Sequence, residues 1–185
     1  QIVMNTTGPL GGQLSLDAAN YTQVLDLSQI GNGRFFLGST QSGGVNLVAR
    51  SLVPGLPDTA ETSAVFDAGW SSRPVYRIGG GGNQATLNIG AGYFENILTG
   101  TANVQLAAVP TGNATPGIRY INGNLAGVTL QNRNDLSAAS RVFANLGTTL
   151  NLNSPYAIGA ATLVVNGGTV AFNAPFRNPI ALVAD

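Results

Sequence analysis

Apart from five tyrosines and the chain ends, eight carboxylates and eight guanidinium groups are the whole ionisable complement of this 185-residue chain, which has neither histidine nor cysteine. Those residue types bound the chemistry. Without an imidazole or a thiol there is no Ser-His-Asp or Cys-His nucleophile, no typical zinc site and no disulfide framework. Carboxylate chemistry remains, and one cluster is worth naming for it: Asp58, Glu61 and Asp67, followed by the only tryptophan, Trp70. Two carboxyl groups can cleave a glycosidic bond when they flank it at a defined separation. An indole beside them offers an apolar face to a sugar ring, and the same carboxylates are the oxygen ligands calcium prefers. A solvated loop explains these residues more simply. Neither catalysis, a metal nor a cofactor is expected, and Asp58, Glu61, Asp67 and Trp70 stand as a candidate ligand loop.

Other short motifs fail on inspection. The run Gly79–Gly82 is followed by Asn83 and Gln84, so it lacks both the Gly-Lys-Ser/Thr of a phosphate loop and the Asp of a calcium-binding nonapeptide. It reads as a tight corner. Asn-X-Thr sequons occur at Asn5, Asn20 and Asn113, of which Asn113 is the most accessible glycosylation candidate. Arginines neighbour aromatics at Arg34-Phe35-Phe36, Tyr76-Arg77, Arg119-Tyr120 and Phe176-Arg177. Such neighbours stack on sugars or cap apolar edges. The net charge of zero removes the footprint of a nucleic-acid binder. No run of eighteen apolar residues exists to form a membrane-spanning helix.

The elements that must position these groups are β-strands. Segments such as RFFLGS (34–39), PVYRIGG (74–80), ATLNIG (85–90), GTTLNLN (147–153) and ATLVVNG (161–167) are short, β-branched or apolar, and bounded by Gly and Asn. Helical spacing is confined to DLSAASRVFANL (135–146), which reads equally as strand–turn–strand. Residues 54–74 and 107–117 are rich in Pro, Gly and Asn and read as loop excursions. A Thr-Leu phrase recurs at 86, 129, 149 and 162, at uneven intervals compatible with the coils of a solenoid. The corner Asn166-Gly167-Gly168 suits a solenoid turn, although Asn-Gly is also a strong hairpin signal.

Composition leans the same way. Charged residues are 9% of the chain, against about 25% in an ordinary soluble domain. Stacked ladders of like charge would repel, so scarcity of charge favours stacking. A neutral surface of Asn, Gln, Ser, Thr and Gly is also poorly defended against association.

The segments Tyr156–Gly159, Thr162–Val170 and Asn178–Asp185, together with Tyr76–Ile89 and 25–39, resemble the autotransporter-associated β-strand repeats of very large exported bacterial proteins. Residues 50–75 and 107–117 do not match. The resemblance implies a right-handed parallel β-helix, export to the cell surface, and a structural or adhesive role. The expectation is a single β-solenoid segment over 1–185, part of a larger exported protein, since PIALVAD ends mid-strand. It is expected to be no enzyme and to self-assemble end to end or laterally into a filament or surface layer. A surface polysaccharide is the other expected partner. Two alternatives stay open: a carbohydrate-binding or polysaccharide-cleaving β-helix module using the Trp70 loop, and an antiparallel β-sandwich.

Overall fold

The structure, a computed structural model, describes residues 13–17, 19–39, 45–48, 51–57, 72–79, 86–92, 94–106, 127–145 and 148–183. Sheet 1 holds seven strands in the order β1 (Gln13–Leu16), β4 (Phe36–Ser39), β7 (Val75–Ile78), β10 (Asn103–Leu106), β13 (Arg141–Asn145), β15 (Thr162–Asn166) and β17 (Ile180–Leu182). Sheet 2 holds six: β2 (Asn20–Tyr21), β5 (Val45–Leu47), β8 (Thr86–Ile89), β11 (Gly127–Leu130), β14 (Thr149–Leu152) and β16 (Thr169–Phe172). A third side carries two short pairs, β3 (Leu25–Asp26) with β6 (Leu52–Val53) and β9 (Thr99–Gly100) with β12 (Asp135–Leu136).

Among the described residues all thirteen ladder pairings are parallel. The chain returns to each sheet one strand further on, which is the strand order of a parallel β-solenoid. This excludes the antiparallel sandwich. It also excludes the hairpin at Asn166-Gly167-Gly168, because β15 and β16 lie in different sheets and each pairs with the coil below. Gly167 has φ +74, and a Cβ on Gly168 would sit 2.6 Å from the carbonyl oxygen of Ala144. Only a residue without a side chain lets that corner rest on the previous one.

Coil length varies widely. The register advances 17 residues from Leu163 to Ile180 and 21 from Arg141 to Thr162, but 41 from Leu37 to Ile78 and 38 from Val104 to Val142. The Pro/Gly-rich segments 54–74 and 107–117 fall inside the two long steps. Uneven steps also explain the uneven spacing of the Thr-Leu phrases, all four of which lie on strands of the two sheets. Thr86 and Thr149 do occupy one column, but Gly127 lies between them, and Thr162 belongs to sheet 1.

Sheet 2 obeys the period of two. Leu87 and Ile89 on β8, and Leu150 and Leu152 on β14, point inward and are buried, while Thr86, Asn88, Thr149 and Asn151 point outward. Stacking turns each inward position into a column, such as Leu14, Leu37, Ile78, Leu106, Ala144, Val165 and Leu182 along sheet 1. One continuous apolar core joins residues of both sheets with Leu25, Leu98, Leu136 and Ile158 of the third side. Each fully buried Leu or Ile there contributes roughly 1.5–3 kcal/mol.

Sheet 1 is buried on both faces from β4 through β10 and over most of β13. Arg77, Gln105, Phe143 and Val164 form one outward column, yet all four are buried. Arg77 donates to the carbonyls of Gly33 at 3.1 Å and Leu56 at 2.9 Å. Residues 135–145 are strand–turn–strand rather than helix, with Val142 and Ala144 in the core and Phe143 on the opposite face.

The third side has little ladder, and asparagines add side-chain bonds to its scattered backbone ones. Asn134 is buried; its Oδ1 accepts from the Leu98 amide at 2.9 Å, and its Nδ2 donates to the Ala157 carbonyl at 2.7 Å. One coil on, Asn178 donates to the carbonyls of Gly159 and Ala161, both at 2.9 Å. Between them Gly159 turns the chain at φ +59, where a Cβ would lie 2.5 Å from the nitrogen and 2.6 Å from the oxygen of Leu136.

Among the described residues Tyr76 is the one buried phenol in the main core, and its hydroxyl accepts from the Thr99 amide at 3.3 Å. Burial pushes its pKa above the ordinary 10.0, partly offset by Thr99. The folded state therefore holds this proton longer than the unfolded chain does, and stability falls as pH rises from about 10. A urea series from pH 8 to 11 should show that loss in the parent chain, and Tyr76→Phe should abolish this Tyr76-dependent part of it.

Candidate functional site

The loop singled out for ligand chemistry, Asp58, Glu61, Asp67 and Trp70, lies outside the described residues, as does the glycosylation candidate Asn113. Among the described residues, no three acidic side chains come together as a metal cluster would require. Nor do the arginine–aromatic neighbours form a sugar platform. Tyr76 is in the core, Arg77 is clamped by two carbonyls, and Phe35 and Phe36 are buried. Arg119 and Tyr120 are outside the described residues. Phe176 is half-buried, its ring centroid 4.8 Å from that of Phe172. An exposed tyrosine does meet an arginine on the third side, where Arg133 lies 5.9 Å from the ring centre of Tyr156.

What the fold assembles instead is a set of amide ladders. On sheet 2, Asn46 donates to Asn20 at 3.1 Å and Asn88 donates to Asn46 at 2.9 Å. Further along, Asn151 donates to the Thr129 hydroxyl at 3.5 Å, Asn153 to Gln131 at 2.8 Å, and Asn173 to Asn153 at 2.8 Å. At the sheet 1 corner Asn166 donates to Asn145 at 3.0 Å. Every one of these bonds runs from a coil to the one before it. Chains of like-oriented hydrogen bonds polarise one another and strengthen together.

The upper part of sheet 2 is a grid. Its outward rows are Gly127, Thr129 and Gln131 on the β11 coil; Thr149, Asn151 and Asn153 on the β14 coil; and Thr169, Ala171 and Asn173 on the β16 coil. Thr149, Asn153, Thr169 and Asn173 are exposed, Gly127, Gln131, Asn151 and Ala171 half-buried, and Thr129 is buried. No ionisable side chain occurs within 127–132, 148–153 or 168–173. Amides and hydroxyls give and accept hydrogen bonds but exchange no full proton near neutral pH. Among the described residues, this face offers hydrogen bonds and no acid–base group.

The last coil described is β16–β17. Leu182 is 79% exposed, Ile180 49% and Phe172 45%. Their columns continue from Val165, Leu163 and Leu152, of which Leu163 and Leu152 are fully buried. On the sheet 1 face, Asn103 Nδ2 and Gln105 Oε1 are buried without a hydrogen-bond partner.

Sequence reasoning missed the ladders. Their signal was the Asn-Leu-Asn and Thr-Leu-Asn alternation, which gives the outward residue type but not its partner. No family model matches the chain, and neither does any curated protein or solved structure.

Proposed function

We propose that this chain is a non-catalytic, structural β-solenoid of an exported surface protein, in which coils of successive copies stack into a filament or surface layer. The observation that carries this is the stacking itself: each coil is joined to the one before it by parallel backbone ladders and by amide side-chain bonds, an architecture that further coils extend without change. A further coil, such as one of a second copy, laid along β17 and β16 would cover Leu182, Ile180 and Phe172 and pair the strand edges. Zero net charge sets no electrostatic barrier to that approach. Placement at the cell surface, and any adhesive role, rest on the resemblance of 76–89 and 156–185 to exported β-strand repeats.

Electron microscopy and sedimentation velocity at neutral pH test this. The parent chain should form ordered assemblies with a regular axial repeat. The double variant Ile180→Lys, Leu182→Lys should remain discrete while melting as the parent does. A parent chain that sediments as a single monomer at every concentration would sink the proposal.

A further inference from the structure

We infer that the outer face of sheet 2 binds an extended, uncharged polysaccharide laid along the solenoid axis on the accessible columns Gly127–Thr149–Thr169 and Gln131–Asn153–Asn173. The inference does not depend on self-assembly, because the grid and the β16–β17 coil end are different surfaces.

Hydrogen-bonding capacity selects the class of ligand. A ladder amide such as Asn153 donates one N–H to Gln131 and accepts one bond from Asn173. It keeps one N–H and one lone-pair site for a partner outside the sheet. The hydroxyls of Thr149 and Thr169 likewise donate and accept. A face that offers both in mixture suits hydroxyl groups, which also do both. Phosphates and carboxylates call for donors with positive charge, and cations call for acceptors alone; the grid carries no charge of either sign.

Geometry selects an extended chain. Parallel pairing in register repeats the same outward position at every strand, about 4.8 Å apart along the axis, with neighbouring columns about 6.7 Å apart across it. An extended chain of pyranose rings advances by a similar length per ring, so successive rings meet equivalent rungs. The small residues Gly127 and Ala171 leave room between columns for ring edges. Rotamers held by the 2.8 Å ladder bonds are already fixed before binding, which lowers the ordering cost. Contacts repeated along a rigid line make affinity grow with ligand length.

Affinity electrophoresis of the whole chain through gels containing a soluble uncharged glucan, with β-linked dimer, tetramer and hexamer as competitors, tests this. Retardation should persist in high salt, and the hexamer should compete at least about tenfold better than the dimer. Thr149→Lys with Thr169→Lys, both at exposed positions, should weaken retardation about tenfold or more. The milder Thr149→Ala should weaken it about threefold, and Leu182→Lys at the coil end should leave it unchanged. Four results would overturn the inference: no retardation by any uncharged glycan, loss of retardation in salt, indifference to the Thr149 and Thr169 variants, or loss with Leu182→Lys alone. If the lysine pair alters sedimentation instead of retardation, the grid is a contact between copies and not a glycan site.

Discussion

Gly159→Ala should lower the stability of the chain by about 4 kcal/mol, from two additive causes. The first is conformational: an L-residue at φ +59 is left-handed, which costs roughly 1–2 kcal/mol. The second is steric, because the new methyl would meet the Leu136 nitrogen at 2.5 Å and the Asn134 oxygen at 3.0 Å. Those are backbone atoms of the neighbouring coil. Relief requires lifting one coil from the other and lengthening the 2.8 Å bond from Ala160 to the Leu136 carbonyl, an overpacking cost of roughly 1–3 kcal/mol. Gly100→Ala separates the two causes, since Gly100 has φ +77 but nothing within 4 Å of a Cβ. It should lose only the conformational part, about 1–2 kcal/mol. Urea midpoints of both variants, at unchanged m-value, make the comparison. Equal losses would show that the coils separate freely at this corner, contrary to the geometry.

Asn134→Ala should be as damaging, by about 4 kcal/mol. Its side chain satisfies a buried donor on one coil, the Leu98 amide, and a buried acceptor on the other, the Ala157 carbonyl. Truncation leaves both unpaired, and each such group costs roughly 1–3 kcal/mol. Asn134→Asp gives a sharper test. It keeps the acceptor for Leu98 but turns a carboxylate toward the Ala157 carbonyl in a buried site, where desolvation favours the protonated acid. Its folded pKa is therefore raised above the unfolded value of about 3.9. The variant should be most stable below that pH, where the acid can donate to Ala157, and should weaken as pH rises above it. A variant equally stable at pH 4 and pH 8 would show that this side chain bridges nothing.

The β class was open in the sequence because alternation needs only near neighbours. Thr149-Leu150-Asn151-Leu152 declares its two faces, and the small residues of Asn166-Gly167-Gly168 declare a corner. What stacks on what was not open, because the coils are of unequal length. Nothing local says that Gly127 and not Thr129 follows Thr86, and 41 residues separate the two. The start of the first circuit was missed for another reason: the two-residue strand Asn20–Tyr21 is too short to show any period and becomes a strand only by pairing with β5. Sheet 1 hid its depth in the same way. Arg77 and Gln105 look like surface residues in any local pattern, yet both are buried on its outer face. The amide grid failed to show because a ladder is a relation between coils. The carboxylate loop, prominent as a string of letters, lies outside the described residues.

The parallel pairing also fixes how the molecule would answer a pull. Both strand-to-strand bonds and amide ladders run along the axis, so a tension applied at the two ends loads them one coil at a time, as a zipper, rather than all together in shear. Each coil contributes about 4.8 Å to the length of the folded rod. Peeled off, the 21-residue step from Arg141 to Thr162 would pay out about 70 Å of chain at roughly 3.3–3.6 Å per residue. The 41-residue step from Leu37 to Ile78 would pay out about 140 Å on the same scale. The irregular coil lengths thus make the rod a tether with unequal reserves of slack, yielding in steps of different size under a modest load while the coils still in place keep their shape.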